Sequence, residues 1–544
     1  MEGGCVAVYG TNFACAGKSI EQMLGQNLAA AYDSSRIFQK LMNYFRAQNV
    51  SSHDLIFYGL RALCLTALTI LVFWFAEYRW KFVSRFLSEK RTPLDLAVFR
   101  IALMVDYLEI VSDLPKILHF AALDSALVVP PVGWGPVASW VPRNHLVVET
   151  VGVIFIICLV LSLIGLWTRI SVLVTVVSAV YLLAILQIFG KINHSHHMVL
   201  FGVILCFSPC GDALSVDAYL RKRRGEGIPA LAPARRYGAP LQWIMVLMGL
   251  IYFFPGIWKV ARGGQRWFSA ANLHDLIARK LLEFNPPTAL QQWTLHHHFV
   301  LVLGALFTII FEVGWIFAVM DRRLRPSLIV SGLLFHSVTN MLMHISFWTL
   351  RCCYVALVDW GAVGSFLSPR IRNARAAARA WVEQRGDNWA VATPGRPFTI
   401  VATVFLVGMV LTGVTHRVNA WPVGCYPTFD ELPGPVPPRV QLEAEAADGK
   451  LYHATLSYDP ILQEPFGSER YQGMMMAFGC PGAFYSNAKA RAYVRMWEAA
   501  YHHPDIVSAK IYCDTYNDSV DSPQVVQHKL LGAVDMDTDI AVTR

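Results

Sequence analysis

The chain has 544 residues, 55% of them hydrophobic and only 15% charged, with a mean hydropathy of +0.41 and a formal net charge of +8. Such a composition excludes both an ordinary soluble globular protein and a disordered one, and it fits a polytopic membrane protein. Nucleotide binding and triad hydrolysis are unsupported too, because there is no GxGxxG after a strand, no P-loop, no GxSxG and no HExxH.

In chain order, the opening "MEGGCVAVYGTNFACAGKSI" lacks a basic start followed by a sustained apolar core, so no cleavable signal peptide is expected. The first spanning helix is expected to serve as the insertion signal. A helix rising about 1.5 Å per residue needs roughly 18–20 apolar residues to cross a hydrocarbon core about 30 Å thick. On that criterion nine or ten spans are predicted, near residues 57–77, 94–112, 148–166, 170–189, 197–209 (short), 240–258, 299–320, 327–345, 347–366 and 397–414.

Lys and Arg cluster in "EYRWKFVSRFLSEKR", "LRKRRGEG", "DRRLR" and "SPRIRNARAAARA", and with these spans all four loops fall on one side, which the positive-inside rule makes cytoplasmic. The loop 113–147 carries only Lys116 and Arg143, and the loop 259–298 is expected on the same, outer, face. Since topology accounts for the basic loops, nucleic acid is not needed as a partner. From residue 416 onward ten Lys/Arg face sixteen Asp/Glu, so the tail reads as a separate acidic domain outside the cytoplasm. Within it, "VQLEAEAADGKLYHATLS" alternates around Asp448-Gly449 as a hairpin, "YSNAKARAYVRMWEAAYHH" reads as an amphipathic helix capped by Ser486 or Asn487, and "AKIYC" reads as a strand. The expected fold is therefore an all-α polytopic bundle with a small α+β extracytoplasmic domain. The expected divisions are 1–90 (one extra helix), 91–415 (shared membrane domain) and 416–544.

Chemistry is sought where charge meets the apolar bundle. "YFFPGIWKVARGGQRW" carries Lys259 at the end of a long apolar run, where a lysine is either a headgroup anchor or a reagent. The topology puts His194 and Lys259 at one membrane depth on different helices, while "LLFHSVTNMLMHISFW" adds His336 in mid-helix and His344 near the outer end. Arg100, Asp106 and Glu312 are also intramembrane charges and read as buried pairs holding the bundle together. The clusters His194–His197 and His296–His298 lack the HxxxH and HxxHH spacing of membrane di-iron oxygenases, so no metal is expected. The eleven cysteines show no paired framework, and Cys64, Cys158 and Cys206 read as small buried apolar residues.

Several short motifs, in order, carry a resemblance: "LAVFR" (Leu96 to Arg100), "NHS" (Asn193 to Ser195), "SVD" (Ser215 to Asp217), Tyr252-Phe253 followed by Gly256 and Lys259, and "FH" (Phe335, His336). In these the chain resembles the vitamin K-dependent gamma-carboxylases and their bacterial relatives, the horizontally transferred transmembrane domain proteins. The likeness runs over about residues 90–520 and weakens in "ADGKLYHATLSYDP" and "KIYCDTYND". It implies a lyase-class membrane enzyme with Lys259 as the base that deprotonates reduced vitamin K, and with His194 and His336 in the active site. It further implies that Tyr252, Phe253, Trp258 and Arg100 contact the quinone, a phylloquinone or menaquinone hydroquinone, with O2 and CO2 as co-substrates and a glutamate-containing protein or peptide as acceptor. A base must be a neutral amine, and an apolar surrounding disfavours the charged form. The departures are a single lysine in "GIWK" where the mammalian pattern has two, a "HSHH" where it has one histidine, a shorter tail and an additional first helix. Quinol epoxidation without carboxylation, and a non-catalytic membrane protein, are the alternatives. The Ala- and Arg-rich character suggests a bacterial plasma membrane.

Overall fold

The computed structural model describes residues 52–131, 134–138, 140–189, 195–283, 288–417, 420–425, 436–466, 471, 474–475, 480, 485–503, 505–517 and 524–536. The chain divides into two units, Met1–Cys64 and Leu65–Arg544. Among the described residues, the first unit contributes only the start of α1 (Ser52–Trp80).

The second unit is mostly helical. Its elements are α2 (Pro93–Asp106), α3 (Leu108–Ala121), α4 (His145–Ile164), α5 (Thr168–Gln187), α6 (His196–Cys206), α7 (Arg235–Trp258), α8 (Ala271–Glu283), α9 (Ala289–His296), α10 (His298–Ala318), α11 (Arg325–Met343), α12 (Trp348–Cys352), α13 (Trp360–Leu367), α14 (Pro369–Arg385) and α15 (Arg396–Val414). Among the described residues seven helices are long and apolar enough to cross a membrane: α1, α4, α5, α7, α10, α11 and a segment ending in α15. α7 is the centre of the bundle, nearly all of its apolar window being buried, whereas α1, α4, α11 and α15 bury less than a third of theirs, as lipid-facing helices do.

Three predicted spans take another form. The run 94–112 is split at Tyr107 into α2 and α3, each 14 residues long. The run 197–209 is the 11-residue α6. The run 347–366 is broken and bent by 72°. The bend has a local cause: Val358 is extended, and the Asp359 carboxylate accepts from the Ala362 N–H as the cap of a new helix. The polar stretch 259–298, expected as a loop, holds the helices α8 and α9.

At the ends with the Lys/Arg clusters, ion pairs tie the bundle. Glu89 receives a bidentate contact from Arg325 (2.9 and 2.7 Å) and a further one from Arg322 at 3.0 Å, with Arg91 beside it. The Arg91 guanidinium also donates to the Val358 carbonyl at 2.8 Å, supplying a partner to a peptide group that the bend leaves outside regular helix.

The tail contains a four-stranded antiparallel sheet in the order β2-β1-β3-β4, formed by β1 (Arg439–Ala446), β2 (Leu451–Thr455), β3 (Ile506–Tyr516) and β4 (Val525–Asp535). β1 and β2 are the predicted hairpin, in the register Gln441–Thr455 to Glu445–Leu451. The predicted helix is α16 (Asn487–Tyr501), with Ser486 as cap. Strand β4 is additional. Cys480 and Cys513 form a disulfide, a pairing that the sequence left open. Their spacing of 33 residues carries no motif, and only the sheet brings the two together. Of the helix cysteines, Cys64 is exposed and Cys158 and Cys206 are half-buried, so none is the fully buried residue expected. The tail meets the membrane part through Phe120 and Phe466, whose ring centroids lie 5.0 Å apart.

Candidate functional site

α7 carries the central side chains. Tyr252 and Lys259 are seven residues apart, close to two helical turns, so both face the same way and lie about 10 Å apart along the axis. Beyond Trp258 the backbone changes from α to one π turn, Lys259–Gly263, before Gly264 turns the chain with φ 43°. Such a turn is common at functional sites. Here it directs the chain so that Trp267 lies over the lysine, with Nζ 5.3 Å from the indole centroid.

Lys259 is 1% exposed and its Nζ lies 2.6 Å from both carboxylate oxygens of Glu312 on α10. It is therefore neither a headgroup anchor nor lipid-facing. Close helix packing makes this pair possible, because a side chain at Gly256 would meet Val313 at 2.8 Å and Glu312 Cβ at 3.0 Å. Glu312 was legible as a lone carboxylate in an apolar helix, and the structure supplies its partner.

Deeper along the same face of α7 lies a second polar group. The Tyr252 hydroxyl is 2.7 Å from His336 Nε2 and 2.7 Å from the Tyr354 hydroxyl, forming a three-member hydrogen-bonded chain. Gly332 on α11 admits Tyr354, since a Cβ there would lie 2.5 Å from its hydroxyl. Aromatic rings enclose the chain: Trp315 and Phe311 stand 4.6 and 5.2 Å from the Tyr252 ring.

Lys259, Glu312, Tyr252 and His336 line one cavity together with Trp267, Phe335, Phe347 and several aliphatic side chains. Its interior offers about 70 Å³ to the centre of a water-sized sphere. Walls that are mostly apolar and aromatic, with a few convergent polar groups, suit a planar apolar ligand carrying polar atoms at its edge.

The other sequence-derived candidates lie elsewhere. His194 is outside the described residues. Phe253 and Trp258 do not line this cavity: Phe253 packs on Phe254, and the Trp258 indole N–H donates to the Gly413 carbonyl at 2.7 Å. Arg100 is fully buried but donates to the carbonyls of Cys210 (2.8 Å) and Leu214 (2.6 Å). It thus holds the turn after α6, and it pairs neither with Asp106 nor with the cavity. The contacts expected of these three with a quinone are not supported at this cavity, because α7 turns Phe253 and Trp258 to other faces. Sequence reasoning missed Tyr354, Trp267 and Phe347, which sit in segments without periodicity that only the bend and the π turn bring inward.

All the cavity residues fall within residues 90–360, which match the model of the HTTM domain family. The chain carries an HTTM domain. This domain is found in proteins of the vitamin K-dependent carboxylase family. Neither the curated proteins nor the solved structures contain a match to the chain. The HTTM domain begins after α1 and ends at the first residue of α13, so α14, α15 and the tail lie outside it.

A change at Tyr252 tests the hydrogen-bonded chain. Tyr252→Phe removes a hydroxyl shared by His336 and Tyr354 and leaves two buried polar groups short of a partner, for a loss of about 1–3 kcal/mol in stability. Thermal unfolding of the purified variant should show it, whereas Phe253→Leu should have a smaller effect. Equal melting of Tyr252→Phe and wild type would mean that the chain is not a unit.

Proposed function

We propose that the HTTM domain of this protein is an enzyme that oxidises a reduced naphthoquinone at the Lys259 cavity, with glutamate carboxylation as the coupled reaction. The observation that carries the reading is the buried Lys259–Glu312 pair opening on an aromatic cavity, with the His336–Tyr252–Tyr354 chain on the same wall. The donor set suits a hydroquinone: Phe335, Phe347 and Trp267 offer flat apolar surface, and Lys259 and His336 offer polar atoms for oxygens at the ring edge. When bound, the reduced quinone supplies, with O2, the strong base that removes a proton from the γ-carbon of a glutamate so that CO2 can add.

The chain's own residues manage protons. With its carboxylate 2.6 Å away, Lys259 can pass a proton to Glu312 and become a neutral amine while the pair as a whole stays uncharged. The amine then accepts the hydroquinone proton. His336, held by Tyr252, donates toward charge developing on a ring oxygen, and the tyrosine pair fixes its orientation. The apolar lining keeps water from quenching a strong base.

The reading includes a bacterial plasma membrane and a tail outside the cytoplasm, supported by the Lys/Arg clusters and by a disulfide of the kind that persists in oxidising compartments. A cysteine introduced at Asp448, on the hairpin turn, should react with an impermeant maleimide in intact cells; labelling only after lysis would reverse the topology. Activity is tested by giving the purified protein reduced phylloquinone or menaquinone, O2, labelled bicarbonate and a glutamate peptide. Epoxide with incorporated label supports the full reading. Epoxide alone supports the epoxidase, which the single lysine and shorter tail favour. Neither product with either quinone leaves the Lys259–Glu312 pair as a structural element of a non-catalytic protein.

A further inference from the structure

Three side chains outside the cavity converge from separate elements. Asp106 ends α2, His197 is the second residue of α6, and Cys353 opens the 3₁₀ turn Cys353–Leu357. Each is 0% exposed, and one ligand atom from each lies within 4.8 Å of the other two. The Cys353 thiol approaches Asp106 Oδ2 at 3.3 Å, while Asp106 Oδ1 has no hydrogen-bond partner among the described residues. None of these three residues lines the Lys259 cavity.

We infer that Asp106, His197 and Cys353 form a binding site for one divalent, borderline-soft metal ion of the zinc class. The donor set decides the class: one sulfur, one imidazole nitrogen and one carboxylate oxygen suit zinc, whereas calcium and magnesium require shells of oxygen. Charge decides the valence. A thiolate and a carboxylate carry two negative charges, a neutral imidazole carries none, and a divalent ion makes the fully buried site neutral. A buried carboxylate oxygen lacking a partner is the cost that the ion removes. Geometry allows it, because tetrahedral zinc with bonds of about 2.0–2.3 Å holds its donors roughly 3.3–3.8 Å apart. The sulfur–oxygen separation is already 3.3 Å, and the widest separation need close by about 1 Å. Loading releases the Cys353 proton to solvent, and no electron moves, since zinc is redox-inert. The ion is a positioning element. It joins α2, α6 and the turn whose next residue, Tyr354, completes the chain to Tyr252 and His336.

The test uses the full-length protein, purified in detergent with a tag free of histidine. Zinc is measured per chain after dialysis against a weak chelator, and the metal environment is read by X-ray absorption. Wild type should retain about one zinc per chain with a sulfur in its shell. Cys353→Ala and His197→Gln should each lower retention at least tenfold, and an Asn triple variant at His296, His297 and His298 should keep it. Less than a fifth of an equivalent in wild type, zinc without a sulfur neighbour, or zinc lost only with the His296–His298 variant would overturn the assignment. Should Cys353→Ala and His197→Gln fail to fold, cobalt added to metal-depleted wild type decides. A thiolate-to-cobalt absorption band at one equivalent supports the site, and its absence overturns it.

Discussion

Replacing Lys259 by alanine is expected to lower quinol turnover by about 10²–10⁴-fold, the contribution typical of a positioned acid or base. From the sequence, a lysine at a membrane boundary contributes little to packing, and the variant should fold normally. The structure changes that expectation. With Lys259 gone, Glu312 is a carboxylate 3% exposed and stripped of its counter-ion, a loss of about 3–5 kcal/mol. Inactivity of the alanine variant alone is therefore ambiguous. The informative protein is the double variant Lys259→Met with Glu312→Gln, which removes both charges, keeps the volume and should melt near wild type. It should remain inactive, and a small added amine should restore some turnover only to Lys259→Ala, where space has been vacated. Wild-type turnover by the double variant would remove Lys259 from the chemistry.

The second large effect lies at the charged end of the bundle. Burial raises the Glu89 carboxyl, yet the hydrogen bonds from Arg325 and the charges of Arg91, Arg325 and Arg322 outweigh it and hold the group at about 2. A depressed carboxylate contributes stability that is fully present above its ordinary value of 4.5 and is lost as the pH falls through about 2. The shift corresponds to roughly 3 kcal/mol. Glu89→Gln should therefore destabilise the protein by about that amount or more at pH 7, because Arg91 and Arg325 stay buried without their anion. It should also flatten the acid limb of the stability profile between pH 4.5 and 2. A variant as stable as wild type at pH 7 would show that the network is dispensable.

What the sequence disclosed follows from which interactions are local. Apolar length and Lys/Arg placement marked α4, α5, α7, α10, α11 and α15, because spanning helices satisfy their backbones within themselves. The Asp448-Gly449 hairpin and the Ser486 cap are likewise matters of near neighbours. Lys259 and His336 stood out because charge in an apolar run is conspicuous. The Arg91 contact at the Val358 bend, the Tyr107 contact with Met198 and the pairing of Cys480 with Cys513 join residues more than 30 positions apart, and no window of sequence contains them. Tyr354 is hidden for the same reason: it reaches the site only across the broken helix pair, through the space left at Gly332.

The Lys259–Glu312 contact has an electrical consequence. A full elementary charge crossing the membrane couples to the potential with about 2.3 kcal/mol per 100 mV. A proton passing from amine to carboxylate moves at most the 2.6 Å that separates the heavy atoms, under a tenth of a hydrocarbon core about 30 Å thick. The coupling is then no more than about 0.2 kcal/mol per 100 mV, below thermal energy. Turnover in proteoliposomes should hence be indifferent to an imposed diffusion potential of either sign. The pair confines its charge movement to a distance over which the field across the bilayer does almost no work.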